Sequence, residues 1–132
     1  MGFRKKTSET YALNEMISTP EMNITVTGTE VLNPRKNTKL RDGCHLIKVY
    51  FEIANENNDE PAVIYHDDFN LFADGQHCFE KVYFSDFSKE LISKGSVLKT
   101  SVTYQVPDDA SVLELDYMED WKLFCTVSID NP

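Results

Sequence analysis

No run of apolar residues in this chain approaches the ~18 that a membrane-spanning helix needs, so a helical span is excluded. The basic start, "MGFRKKTSETYALNEM", has no apolar segment after it, which excludes a signal peptide in this stretch. Lys6 stands where a myristoylation signal requires Ser or Thr. Cys44, Cys78 and Cys125 form an odd set with no CxxC pair and no His at zinc-ligand spacing, so neither a disulfide framework nor a zinc module is indicated. Positive charge is scarce: 13 Lys and Arg face 22 Asp and Glu, a net charge of −9 that repels phosphate backbones and excludes nucleic acid as a partner. GxSxG, HExxH and Gly-rich phosphate loops are missing too. His77 and Cys78 are adjacent, and neighbouring strand residues point to opposite faces, so they do not make a nucleophile and its base. The expectation is a protein that is not an enzyme.

What is present is strand-forming sequence. Apolar residues make up 41% of the 132, a globular composition for one domain, with residues 1–10 read as a tail and 11–132 as the domain. The dominant period is two. "HLIKVYFEIAN" sets Ile47, Val49, Phe51 and Ile53 against Leu46, Lys48, Tyr50 and Glu52; "SVLKTSVTYQV" sets Leu98, Thr100, Val102, Tyr104 and Val106 against Lys99, Ser101, Thr103 and Gln105. "SVLELDY" and "KLFCTVSID" alternate likewise, the latter placing Cys125 in phase with Leu123, Val127 and Ile129 as a small buried residue. Gly28 in "MNITVTGTEVL" marks a bulge, and Asp74-Gly75 marks a type I′ hairpin turn. Only "SDFSKELIS", residues 85–93, has helical spacing, with Ser85 as its cap and Phe87 and Leu91 four apart. These elements predict an immunoglobulin-like antiparallel β-sandwich of seven to nine strands with one short helix.

The segments "YALNEMIST", "NITVTGTEV", "IKVYFEIANENNDEPAVI", "DFNLFADGQ" and "KGSVLKTSVTYQVPDDASVLELDY" occur in that order. In this the chain resembles the telokin-like, immunoglobulin-like domain of unknown function found in Gram-positive secreted proteins and lipoproteins. The likeness covers about residues 11–129 and rests on Asn55 and its polar turn, the Phe69-x-Leu71 strand entering Asp74-Gly75, and Gly95 opening a strand that closes in Val106-Pro107. It implies an extracytoplasmic or cell-envelope location and no attached activity. The chain departs from the pattern in carrying three cysteines and no leader or lipid-attachment cysteine, so a cytoplasmic location also stays open.

Charge is distributed unevenly. Residues 1–51 carry 8 Lys and Arg against 5 Asp and Glu, and residues 52–132 carry 5 against 17, balances of +3 and −12. "NENNDEP", residues 55–61, lacks the calcium-loop spacing and reads alone as a polar turn. "YHDDFN" offers His66, Asp67 and Asp68, and reads as a polar kink before the Phe69 strand. If long strands alternate in direction and residues 62–73 make a single pass, one end of the sandwich gathers the segments 56–60, 84–95 and 118–121. That end holds Glu56, Asp59, Glu60, Asp86, Glu90, Glu119 and Asp120, with Trp121 beside them and Lys89 and Lys94 opposing. The other end gathers Arg35, Lys36, Lys39 and Arg41 against Asp42, Asp74, Asp108 and Asp109.

The candidate binding residues are therefore Glu56, Asp59, Glu60, Asp86, Glu119, Asp120 and Trp121. Such an end fits a basic protein docked on Trp121, or a calcium ion held by carboxylates from several loops. The bland alternative is a solvated rim with Trp121 tucked into the core. The reading carried forward is a monomeric, non-catalytic binding or accessory module of the bacterial cell envelope with a protein partner and no cofactor. A cation-stabilised sensor or adhesion domain comes second and a small hydrolase third.

Overall fold

The computed structural model describes residues 9–34, 38–81 and 84–132. In chain order the strands are β1 (Thr10–Tyr11), β2 (Met16–Ser18), β3 (Asn23–Leu32), β4 (Cys44–Asn55), β5 (Ala62–Tyr65), β6 (Phe69–Ala73), β7 (Gln76–His77), β8 (Lys89–Ile92), β9 (Ser96–Pro107), β10 (Leu113–Glu119) and β11 (Lys122–Ile129). One sheet has the order β1-β11-β10-β6-β7, a second β2-β3-β4-β9, and β5 pairs with β8 in a small third sheet. All pairings are antiparallel except β1 with β11. The antiparallel sandwich expected from the period-two pattern is the fold observed.

β4 is the spine. It pairs with β9 from Cys44↔Pro107 to Asn55↔Ser96 and with β3 along its other edge. Its alternation carries the burial: Ile47, Val49, Phe51 and Ile53 are at most 1% exposed, and removing that much apolar surface from water is the main favourable term in folding. The β3 register shifts between Val26 and Gly28, the bulge that Gly28 announced. Across the core, the Phe51 ring lies 4.2 Å from Phe69, and Phe69 lies 5.3 Å from Tyr117, tying the two large sheets together. The buried Tyr104 hydroxyl donates to the Phe69 carbonyl at 2.9 Å, so the core's largest polar handle is satisfied.

Residues 62–73 make one pass broken by a short 3-10 turn, His66–Asp68. Ala62 pairs with Ile92, whose carbonyl accepts from Asn55, so β5 starts at the Asn55 end. Asp74 bonds to Val112 and Ser111 beyond the opposite end of β10. The turn shifts the chain from β8 to β10 without reversing it, the polar kink expected of "YHDDFN". Helical spacing over residues 85–93 misled. Lys89–Ile92 is the strand β8, with Ile92 buried and Leu91 exposed, because β5 supplies a backbone partner distant in sequence. Asp74 and Gly75 adopt φ of 48° and 86°, as the type I′ turn requires. Cys78 and Cys125 are buried, Cys44 is half-buried, and all three are unbridged.

Candidate binding surface

The segment "NENNDEP" is organised by its first residue. Asn55 continues the inward phase of Ile53 and is fully buried, yet every polar atom of its side chain is used. Its Nδ2 donates to the carbonyls of Ile92 at 2.9 Å and of Asn58 and Glu60 at 3.2 Å, while its Oδ1 accepts from the Asn58 amide at 3.0 Å. The Asn55 carbonyl accepts from the Gly95 amide at 2.7 Å, fixing the turn into β9. Asn58 extends the network outward: its Nδ2 donates to the carbonyls of Glu21 at 2.7 Å and Pro20 at 3.2 Å. Two buried-side amides thus hold a backbone loop rigid and press it against the β2–β3 turn, leaving Glu56, Asp59 and Glu60 facing water. A polar cleft of about 80 Å³ separates the two loops, with Glu21 and Glu56 on its walls.

The second part of this end is the β10–β11 hairpin. Glu119 pairs with Lys122, which leaves Asp120 and Trp121 as the whole loop. Both have positive φ, 51° and 65°. A type I′ turn matches the strand twist, but it favours Asn-Gly or Asp-Gly because a Cβ in the left-handed region is strained. Trp121 occupies the glycine position and is 94% exposed. The bland alternative, a tryptophan tucked into the core, does not hold: a two-residue turn has no inward side, and the indole projects into solvent.

Electrostatics joins the two parts. Burial raises the Glu119 carboxyl above its usual value, and the charges of Glu21, Asp120 and Asp68 push the same way against a hydrogen bond to Thr19. Burial likewise raises Asp68, with Asp67 and Asp120 adding to it. Glu119 Oε1 is buried and has no hydrogen-bond partner among the described residues. Crowded carboxylates raise one another in this way. The sequence reading missed Glu21, whose turn reaches this end only through β2–β3 pairing, and placed Asp68 in a separate feature.

Of the candidate residues, Glu56, Asp59 and Glu60 lie together on the loop, and Glu119, Asp120 and Trp121 on the hairpin. Lys94 Nζ meets Asp59 Oδ1 at 2.8 Å, but both are exposed, so the pair contributes little. Asp86 lies elsewhere. Its amide bonds to the Ser101 carbonyl, its carboxylate accepts from Ser101 Oγ at 2.6 Å, and Lys48 Nζ is 3.5 Å away, half-way along the outer face of β9. Glu90 and Lys89 sit on β8, with the Lys89 ammonium 5.5 Å from the Tyr65 ring centroid. At the opposite end, the Gly43 carbonyl accepts from the Asp108 amide and Gln105 Oε1 from the Arg41 amide, gathering the expected loops. Arg35 and Lys36 lie outside the described residues.

Two His–carboxylate pairs test a catalytic reading. His66 Nδ1 lies 2.6 Å from Glu80 Oε1, and Ser85 Oγ donates to Glu80 Oε2 at 3.1 Å. The carboxylate stands between serine and histidine, so Ser85 does not give its proton to this imidazole as the serine of a hydrolase triad does. His45 Nδ1 meets Asp108, and His45 Nε2 is buried without a hydrogen-bond partner among the described residues. Burial pushes the thiols of Cys78 and Cys125 up to about 11 and about 12, which disfavours the reactive thiolate. Among the described residues no group of three His, Cys, Asp or Glu side chains is placed to hold a metal ion. No helix among them is long and apolar enough to cross a membrane.

Neither the known protein-family models nor the curated protein sequences contain a match to this chain. Solved structures do resemble it. A candidate lipoprotein of Bacillus subtilis, ycdA, superimposes with a TM-score of 0.71 at 18% identity over 87% of this chain, which spans 38% of the length of ycdA. An uncharacterised β-sandwich protein of Clostridium difficile matches at a TM-score of 0.60 and 12% identity, covering 98% of this chain and 99% of its own. The yjhA protein of Bacillus subtilis matches at 0.61 and 14%, over 81% of this chain and 79% of its own. At these identities the likeness is one of fold, and the chain shares a β-sandwich architecture with proteins of unknown function.

Proposed function

We propose that the protein is a non-catalytic binding module of the bacterial cell envelope, which docks a basic protein partner on the end formed by the β10–β11 hairpin and the 55–61 loop. The carrying observation is Trp121, a large apolar side chain 94% exposed in a backbone conformation that disfavours it. Neither folding nor solubility accounts for an indole there, and strained, exposed positions belong to binding sites more often than to scaffolding. The surrounding carboxylates of Glu21, Asp68, Glu119 and Asp120 supply the field that steers a basic surface toward it. The rigid seating of the 55–61 loop by Asn55 and Asn58 keeps the surface pre-formed, which lowers the entropy lost on association.

The envelope assignment draws on the telokin-like resemblance of the sequence and on the shared fold with a candidate lipoprotein. The test is affinity capture from the envelope fraction of the source bacterium. The unaltered protein is compared with a Trp121→Ala/Asp120→Asn variant. A basic protein retained by the first and lost by the second is the expected result. Identical captures by both contradict the docking surface, and a partner found only in the cytosol contradicts the location.

A calcium-stabilised module is the second reading, favoured by Glu119 Oε1, which has no hydrogen-bond partner among the described residues and lies among like charges. It predicts a melting temperature that rises with millimolar calcium, whereas the docking reading predicts none.

A further inference from the structure

A groove of about 370 Å³ opens on the outer face of the β3–β4–β9 sheet, away from the Trp121 hairpin, and is lined by Thr27, Tyr50, Glu52, Asp86 and Lys99 together with Phe51 and Thr100. Its size falls at the lower end of the roughly 300–1,000 Å³ of small-ligand clefts. It exists because of the bulge: between Val26 and Gly28 the extra residue Thr27 opens the sheet surface, and Gly28, opposite Tyr50, adds no side chain. The Tyr50 ring forms one wall. Its hydroxyl donates to Glu30, and the Lys48 ammonium lies 5.2 Å from the ring centroid, so the ring is held in place.

Charge distinguishes this groove from the rest of the molecule. In a chain of net charge −9 it is close to balance: Lys48 meets Asp86 at 3.5 Å, Lys99 stands opposite Glu52 in register, and Glu30 at the rim is bonded to the Tyr50 hydroxyl. Glu52 and Lys99 are cross-strand neighbours of opposite sign, a stabilising combination when paired. Yet both are exposed, and among the described residues neither side chain makes a hydrogen bond or an ion pair. The groove thus offers a free acceptor, a free donor and an aromatic wall, with one carboxylate, Glu30, in excess at its rim. A strongly charged ligand gains little from so small an excess. A neutral polyol gains most, since its hydroxyls both donate and accept and its C–H faces pack on an aromatic ring. We propose that this groove is a saccharide-binding site for one or two neutral sugar rings, separate from the protein-docking end.

The test is a titration of the isotope-labelled protein with cellobiose and with N,N′-diacetylchitobiose, followed by amide chemical shifts. The account expects saturable shifts with at least one disaccharide, confined to Thr27, Tyr50, Glu52, Lys99 and their neighbours, with a dissociation constant on the order of 1–10 mM. Affinity is unchanged by salt and falls about tenfold or more in a Glu52→Ala/Lys99→Ala variant, whose exposed positions leave folding intact. Amides that stay still with both sugars, shifts that persist in the variant, or binding that collapses with salt would each overturn it. Shifts only at the Trp121 hairpin would overturn it too, while leaving the docking surface standing.

Discussion

Trp121 and Asn55 are opposite cases of one rule, that a residue's phase in its strand decides what it can touch. Asn55 follows Ile47, Val49, Phe51 and Ile53 on the inward face, so its burial is legible from the alternation alone. Its partners are not, because the Ile92 carbonyl comes from a distant strand. Asn55→Ala removes four hydrogen bonds and leaves buried carbonyls unpaired, a loss expected to reach about 2–4 kcal/mol and visible as a lower denaturation midpoint. Trp121 has no phase, and a turn of two residues says nothing about direction. Relief of its left-handed strain makes Trp121→Gly more stable by up to about 1 kcal/mol, measured by the same denaturation, while docking is lost. Glu119 belongs at this scale too. Its carboxyl is raised in the folded state, so ionisation opposes folding: the penalty is fully present above the raised value and absent below the ordinary value of 4.5. Glu119→Gln is therefore expected to stabilise the protein slightly at neutral pH, by no more than about 0.5 kcal/mol. That gain should vanish in melts run below pH 4.5.

At the scale of elements, β3, β4, β9, β10 and β11 were legible because each is long enough for alternation to be unambiguous. β8 was not. Phe87 and Leu91 are four apart as on a helix, but Phe87 is buried in the loop and Leu91 is 60% exposed on the strand. Over nine residues, periodicity cannot distinguish these cases, and the pairing Ala62↔Ile92 decides the matter. The central element makes the firmest stability prediction. Phe51 is 1% exposed and packs on Phe69, so Phe51→Ala is expected to cost about 3–5 kcal/mol. A charged residue at Val49 or Val102 should unfold the domain, as circular dichroism and thermal melts would report. Native-like melts for these variants would mean that the strand phases are misassigned.

For the whole molecule, the gathering of loops at one end rests on the single pass of residues 62–73, and the sequence carried that as far as a condition. The 3-10 turn at His66–Asp68 meets it by changing sheets without reversing. The sequence did not carry the place of Asp86, drawn to Ser101 and Lys48 by local bonds, or that of Glu21 at the same end as Glu119. Backbone pairing sets such neighbours, and charge pattern does not encode it. At this scale a thermal melt in EDTA should coincide with one in millimolar calcium. Calcium held at ~100 times its dissociation constant would add about 2.7 kcal/mol, so a rise of several degrees absent with magnesium would favour the cation reading.

The most direct test of the docking surface uses its own reporter, because Trp121 is the chain's single tryptophan. A lysine-rich peptide is titrated into the protein at low salt while the indole emission is followed. The account predicts a saturable blue shift or quenching that weakens steeply with added salt and is not produced by a glutamate-rich peptide of the same length. An emission that stays unchanged, or that responds equally to both peptides, would contradict it.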